Sequence, residues 1–284
     1  MFGALPFSIA LIGLVIASFT DLKTREVPDW LNFMLIAAGF GTRLIYSLTI
    51  WKVSPIVEGL LGFGLGLAIA LSMYYSGQWG GGDSKALMGL GALLGLELSI
   101  SSIFLSFIIN LLFVGAVYGF LWSGIIALKN RKAFSIEFKK FVQDKGFRKM
   151  RIATLSTAAL CLLLTFFSAD KMLKLLLTVL AGFLIMMLYL WAFVKVVETS
   201  CMLKEVKVEQ LTEGDWVAKP VILKGKYLCG PKDLGLTKKQ IRLLRRQKLS
   251  KITIKEGIPF VPSFLIAFVI TLVYGNILLY FLVV

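Results

Sequence analysis

Apolar residues in this chain come in blocks long enough to cross a bilayer, and this limits the possible folds more than any other feature. A helical span needs about 20 predominantly apolar residues to traverse a hydrocarbon core of roughly 30 Å. Blocks of that order run from about Leu5 to Thr20, Trp30 to Ile50, Ile56 to Ser76, Ile100 to Leu128, Ile152 to Phe167, Met172 to Val194 and Pro259 to Val284, with a shorter one from Ser84 to Leu96. A soluble fold would interleave polar positions at period 2 or 3.6. Of the 284 residues, 58% are hydrophobic and 17% charged, against about 45–50% and 25% in ordinary soluble domains. The chain therefore reads as an all-α polytopic membrane protein of about eight transmembrane helices. In the short block, MGLGALLG predicts close helix packing through small residues.

The net charge of +15 is concentrated in two polar segments. Residues 129–151 carry nine Lys/Arg against two Asp/Glu, and residues 195–258 carry fifteen against seven. Basic segments beside spans are the expected cytoplasmic loops under the positive-inside rule, with anionic lipid as a partner. This distribution argues against nucleic-acid binding. With eight spans, the first connection (Lys23, Arg25) falls on the same cytoplasmic side and both termini lie outside. Arg43 falls on the opposite side, and the expectation is that it snorkels to the interface. The apolar start lacks a basic n-region and reads as a retained first span.

The expected organisation is a catalytic membrane domain of about five spans (1–128), a basic cytoplasmic loop (129–151), two further spans (152–197), a small basic cytoplasmic α+β domain (198–258) and a last span (259–284). Within 198–258, GDWVAKPVIL and KITIKEG are strand-like and GKYLCGPKDLG is turn-rich. LTKKQIRLLRRQK reads as a basic helix with Thr237 as N-cap. About sixty residues make a marginal core alone, so this part is expected to lean on the membrane bundle.

The chain has no histidine, which removes His-containing zinc sites and Ser-His or Cys-His catalytic systems. Cys161, Cys201 and Cys229 form no metal or disulfide pattern, so neither metal nor cofactor is expected. Two carboxylates stand out. Asp21 ends the first span in SFTDLKTREVPDWL, and Asp83 follows three glycines in SGQWGGGDSKALMGLG. Eight spans put both at one membrane face, where an ionisable residue is a functional candidate. Two adjacent carboxyls share a proton, so one serves as general base on water while the other protonates a carbonyl. Gly80, Gly81 and Gly82 are expected to supply positive φ, a sharp turn and backbone open to an extended substrate. Asp29 reads as a cap of the second span. Lys85 has three possible roles: snorkelling, pairing with Asp83 or touching substrate.

Asp21 with Pro28 seven residues later, and Gly80-Gly81-Gly82-Asp83 with Lys85, resemble the D-x6-P and GxGD elements of the type IV prepilin peptidase family. EGDWVAKPVILKGKY, GLTKKQIRLLRRQ and IKEGIPFVPSFLIAFVITLVYGN resemble the carboxy-terminal region of its archaeal members. The resemblance implies that Asp21 and Asp83 are the catalytic aspartates, and that Gly80, Gly82, Lys85 and Pro28 shape the loop or meet substrate. It implies cleavage of the class III signal peptide of pilin-like or archaellin-like precursors at the cytoplasmic face, with no cofactor. The paired C-x-x-C elements of bacterial members are missing, so methyltransferase activity is not expected. The alternative is a proton- or cation-coupled transporter using the same aspartates. A presenilin-like or signal-peptide-peptidase-like protease shares GxGD, but its tyrosine-aspartate and proline-alanine-leucine elements do not occur here.

Overall fold

The computed structural model describes residues 4–99, 102–223, 226–247 and 250–283. The expected block edges at Ile100 and Val284 lie outside the described residues. The chain packs as two compact units, Met1–Gly119 with Val206–Val284, and Phe120–Glu205.

The first unit opens with three long helices, α1 (Leu5–Thr24), α2 (Asp29–Ile50) and α3 (Ser54–Tyr75). A short α4 (Gly81–Leu94) follows, then α5 (Ile103–Lys129), which continues into the second unit. Pro6 and Pro55 sit in the first turns of α1 and α3, where a missing N–H costs nothing. Side chains such as Ile12 (61% exposed), Phe19 (66%) and Phe33 (58%) face outward on these helices. An exposed apolar belt of this kind suits lipid rather than water.

Contact along α4 is close enough to bring backbones together. A Cβ on Gly62 of α3 would overlap the Gly91 carbonyl, and one on Gly91 would overlap Gly62. On the other side, a Cβ on Gly39 of α2 would lie 2.7 Å from the Ala92–Leu93 backbone. The glycines of MGLGALLG are thus spent on helix approach, as the sequence predicts.

Arg43 departs from expectation. Instead of snorkelling, it turns inward against the C-terminal end of α4. Its Nε donates to the Ala92 carbonyl at 3.0 Å and Nη1 to the Pro55 carbonyl at 2.9 Å, while Nη2 donates to the Leu94 carbonyl. Glu58 completes the site as an ion pair at 3.2 Å. The last carbonyls of a helix have no intrahelical partner, and inside a membrane domain water cannot supply one. A guanidinium does so here, aligned with the negative end of the helix dipole. Gly95 makes room for it: at φ 66° it ends the helix, and a Cβ there would overlap the guanidinium.

The rest of the unit is a small insert and the final helices. Strand β1 (Leu203–Lys207) runs across the boundary of the two units, and β2 (Trp216–Val217) pairs antiparallel with β5 (Lys251–Lys255). Strands β3 (Val221–Leu223) and β4 (Lys226–Cys229) form an antiparallel hairpin, so part of the turn-rich segment is strand. Helix α9 (Lys238–Arg246) starts at Thr237, whose Oγ1 accepts from the Gln240 amide at 3.3 Å. Ile241 and Leu244 of α9 pack with Val208, Val217, Ile252 and Ile254 in a core of their own. The insert also leans on the bundle: Tyr74 Oη donates to the Leu234 carbonyl at 3.4 Å, and Trp216 covers Gly77. The final apolar block breaks into α10 (Val261–Tyr274) and α11 (Ile277–Val283). Asn110 of α5 bridges the break, donating to Thr271 at 2.9 Å and to the Gly275 carbonyl at 2.7 Å, and accepting from the Ile277 amide at 3.0 Å.

In the second unit, α6 (Arg131–Gln143) occupies what reads from sequence as a basic loop. Its Phe134 meets Phe193 edge-on at 5.4 Å and its Phe141 packs tilted on Trp191 at 5.5 Å. Asp144 then caps α7 (Lys145–Phe167), accepting from the Gly146 amide at 2.7 Å. Helix α8 (Lys171–Val196) ends in a π-helical turn, Val197–Cys201.

Among the described residues, six helices are long and apolar enough to cross a membrane: α1, α2, α3, α5, α7 and α8 with its π turn. All eight expected apolar blocks are helical, but α4 and α10 have only 14 residues each. The fold is that of a polytopic all-α membrane protein with a small strand-containing insert.

Gly91→Val is expected to destabilise the chain by about 1–3 kcal/mol through overpacking. Gly41→Ala, where a Cβ meets nothing within 4 Å, is expected to be neutral or stabilising by up to about 1 kcal/mol. Thermal unfolding of the detergent-solubilised protein checks both, and equal losses would contradict the packing account.

Candidate active site

The site forms where the end of α1 meets the start of α4. Helix α1 stops at Arg25, whose left-handed backbone (φ 61°) returns its N–H to the Asp21 carbonyl at 2.9 Å. Val27 is buried, and Pro28, at φ −59° and ψ 135°, leads the chain into α2. Its carbonyl accepts the Leu31 amide at 3.1 Å. Pro28 thus acts as a hinge of fixed geometry between the two helices.

Opposite Val27 lies Gly82, where a Cβ would stand 3.2 Å from Val27 Cβ and from its backbone nitrogen. Asn32, fully buried on α2, donates to the Gly82 carbonyl at 3.4 Å. None of Gly80, Gly81 and Gly82 adopts positive φ; the sharp turn is made earlier, at Gly77 (φ 70°). Gly80 is instead the extended N-cap of α4, and Gly81 and Gly82 are its first residues. The glycine run is therefore a helix start rather than an open loop. A Cβ on Gly81 would meet nothing within 4 Å, so the run still presents a bare, accessible backbone edge.

Asp83 stands in the first turn of α4, half-buried, and its Oδ2 accepts from the Gly80 amide at 3.1 Å. Asp21 is buried, at 5% exposure. Its Oδ2 accepts from the Val261 amide at 2.9 Å, and the Phe260 amide also bears on it. Val261 opens α10, so Asp21 sits at a helix N-terminus, where unpaired amides and the dipole favour an anion. The two aspartates lie within electrostatic reach of each other, and Arg25 and Tyr118 lie within reach of Asp21.

An aromatic wall borders the pair. Trp79 packs on Phe260 at 5.9 Å and on Phe264 at 5.3 Å, and Tyr118 meets Phe260 edge-on at 6.5 Å. Lys85 pairs with Asp29 at 2.6 Å and lies over the Phe33 ring, so it ties α4 to α2 rather than pairing with Asp83. The sequence reading missed Val261, Phe260, Trp79 and Tyr118. The only available signal was IPFVPS, a proline-flanked helix start. Among the cysteines, burial pushes the Cys229 thiol up, which makes it an inert part of the insert's core.

This geometry sets two carboxyls from separate helices within electrostatic reach of each other, beside an open backbone edge and an apolar wall. A match to a known family falls on the same segment. Residues 8–120 match the type IV leader peptidase family. A preflagellin peptidase of Methanococcus maripaludis is 35% identical over 89 residues, covering 31% of this chain and 38% of that protein. Preflagellin peptidases of Methanococcus voltae and Methanocaldococcus jannaschii are each 34% identical, over 90 and 88 residues, covering 32% and 31% of this chain and 38% and 37% of theirs. The chain thus spans less than two fifths of the length of these curated relatives. Residues 8–120, which include both aspartates, are thus similar to the type IV leader peptidase family.

The Lys85–Asp29 pair is half-exposed to exposed. A double-mutant cycle with Lys85→Ala and Asp29→Ala is expected to give a coupling below about 1 kcal/mol by thermal unfolding. A coupling of several kcal/mol would give the pair a larger structural part than its exposure allows.

Proposed function

We propose that this chain is a membrane-embedded aspartic endopeptidase that removes the signal peptide of pilin-like or archaellin-like precursors at the cytoplasmic face, with Asp21 and Asp83 as its catalytic pair. What supports the reading is that Asp21 of α1 and Asp83 of α4 lie within electrostatic reach of each other, in the segment that matches the family. The names of the relatives support a precursor substrate of the preflagellin kind.

The chemistry follows from a pair holding one proton between them. One carboxylate takes a proton from water as the oxygen attacks the scissile carbonyl carbon. The protonated partner gives its proton to the carbonyl oxygen, producing a tetrahedral diol. Return of a proton to the nitrogen then expels the amine and leaves a carboxyl. Both partners are side chains already at the site, so the step needs no metal and no cofactor. The precursor would lie extended along Gly80–Gly81, with an apolar side chain against Trp79, Phe260 and Tyr118. Since the Gly80 amide already serves Asp83, backbone pairing with substrate must use other groups. The apolar helix of the precursor would remain among the spans, and methyl transfer is not expected.

Asp21→Asn and Asp83→Asn are each expected to lower cleavage of a pilin-like or archaellin-like precursor by on the order of 10³-fold or more, the range of a lost general acid or base. Cleavage is measured with the purified chain in lipid. Full activity in either variant refutes the assignment. If the unmodified chain cleaves no such precursor but moves protons or cations across vesicles in an Asp21-dependent way, the transporter alternative holds instead. Chelators such as EDTA are expected to leave the rate unchanged, and strong inhibition would point to a metal mechanism.

A further inference from the structure

A proton shared by two carboxyls has a preferred owner whenever their surroundings differ, and here they differ. We propose that the first turn of α10 is a working part of the site: its Val261 amide holds Asp21 as the anionic member of the pair. Asp21 then takes the proton from the attacking water, and Asp83 carries the proton given to the carbonyl oxygen. The proposal rests on the peptidase reading above and adds a positioning residue and a division of roles.

The contact is well defined. Asp21 Oδ2 accepts from the Val261 amide at 2.9 Å in a buried setting, with the Phe260 amide also bearing on it. Both amides belong to a helix start, where N–H groups lack intrahelical partners, and a carboxylate that accepts such bonds is held in its charged form. Arg25 adds positive charge from the end of α1. Its guanidinium donates to the Gly257 carbonyl at 3.3 Å, which ties the end of α1 to the segment leading into α10. Asp83 also stands at a helix start, but it accepts from a single amide, Gly80 at 3.1 Å, against the two amides and Arg25 that bear on Asp21, and the neighbouring cation Lys85 is held by Asp29. Among the described residues, the charged and titratable groups that bear on Asp21 are Arg25 on α1, Asp83 on α4 and Tyr118 on α5; α10 contributes backbone amides, and Asp29 of α2 is tied to Lys85. Val261 lies 240 residues beyond Asp21 and outside the segment 8–120 that matches the family. The site is thus completed from the far end of the chain.

The test replaces Val261 with its α-hydroxy acid analogue, which turns the donating N–H into an ester oxygen and keeps the side chain. The pH profile of kcat/KM for precursor cleavage is then measured with the full chain in lipid. Loss of one hydrogen bond to a charged carboxylate is expected to move the acidic limb up by about one pH unit, with the alkaline limb fixed. Limbs that both stay put overturn the proposal while leaving the peptidase reading intact. Movement of the alkaline limb alone overturns it too, because Asp21 would then carry the shared proton. An unmodified chain that cleaves nothing removes the peptidase reading and this proposal together. Carbon-13 labelling of aspartate carboxyls in the unmodified chain gives an independent answer, with resonances assigned by Asp21→Asn and Asp83→Asn. Asp21 is expected to ionise first, and the reverse order overturns the proposal.

Discussion

Helix α4 is too short for the membrane it belongs to, and the rest of the bundle is arranged around that fact. Its 14 residues rise about 21 Å, less than the roughly 30 Å of a hydrocarbon core. Two ends rich in unpaired backbone groups therefore have to be closed by protein. At the C-terminal end this falls to Arg43, which reaches the carbonyls of Ala92 and Leu94 and is itself balanced by Glu58. At the N-terminal end Asp83 turns back onto the Gly80 amide. Between these ends, Gly39, Gly62 and Gly91 let α2 and α3 approach the α4 backbone directly. The result is a post fixed along its length, and Asp83 stands at its head.

The other half of the site is assembled differently. Asp21 comes from a long helix, and its carboxylate is fixed by a helix start that arrives 240 residues later. The same final segment brings Phe260 and Phe264 against Trp79, so one stretch supplies both an electrostatic anchor and an apolar wall. The insert joins this construction through Arg25 and Gly257, Tyr74 and Leu234, and Trp216 over Gly77. That arrangement explains why the insert keeps a core of its own yet leans on the membrane bundle.

The long spans were legible because block length and composition are local properties. The two aspartates were legible because carboxylates at span ends are rare and the chain offers no histidine as a rival. Features that depend on distant partners were not legible. Arg43 reads as a misplaced charge until the carbonyls of Ala92 and Leu94 are seen about fifty residues away. The glycines before Asp83 suggest a flexible loop, but an aspartate in the first turn of a helix favours a cap, and the turn was made at Gly77 instead. Helix α6 was hidden by its charge: Phe134, Phe138 and Phe141 recur at helical spacing, while the lysines between them suggest a loop. The break after Tyr274 was signalled by Gly275-Asn276, yet its tolerance depends on Asn110, which local reading cannot supply.

Catalysis by Asp21 and Asp83 requires α1 and α4 to bring their two carboxyl positions together in the membrane-embedded chain, which cross-linking tests directly. A chain carrying both Asp21→Cys and Asp83→Cys, with Cys161, Cys201 and Cys229 replaced by Ser, is treated in native membranes with a mild oxidant or a short bifunctional thiol reagent. An intramolecular cross-link between positions 21 and 83 is expected in high yield. Two thiols that each react with a monofunctional maleimide but never with each other would contradict it.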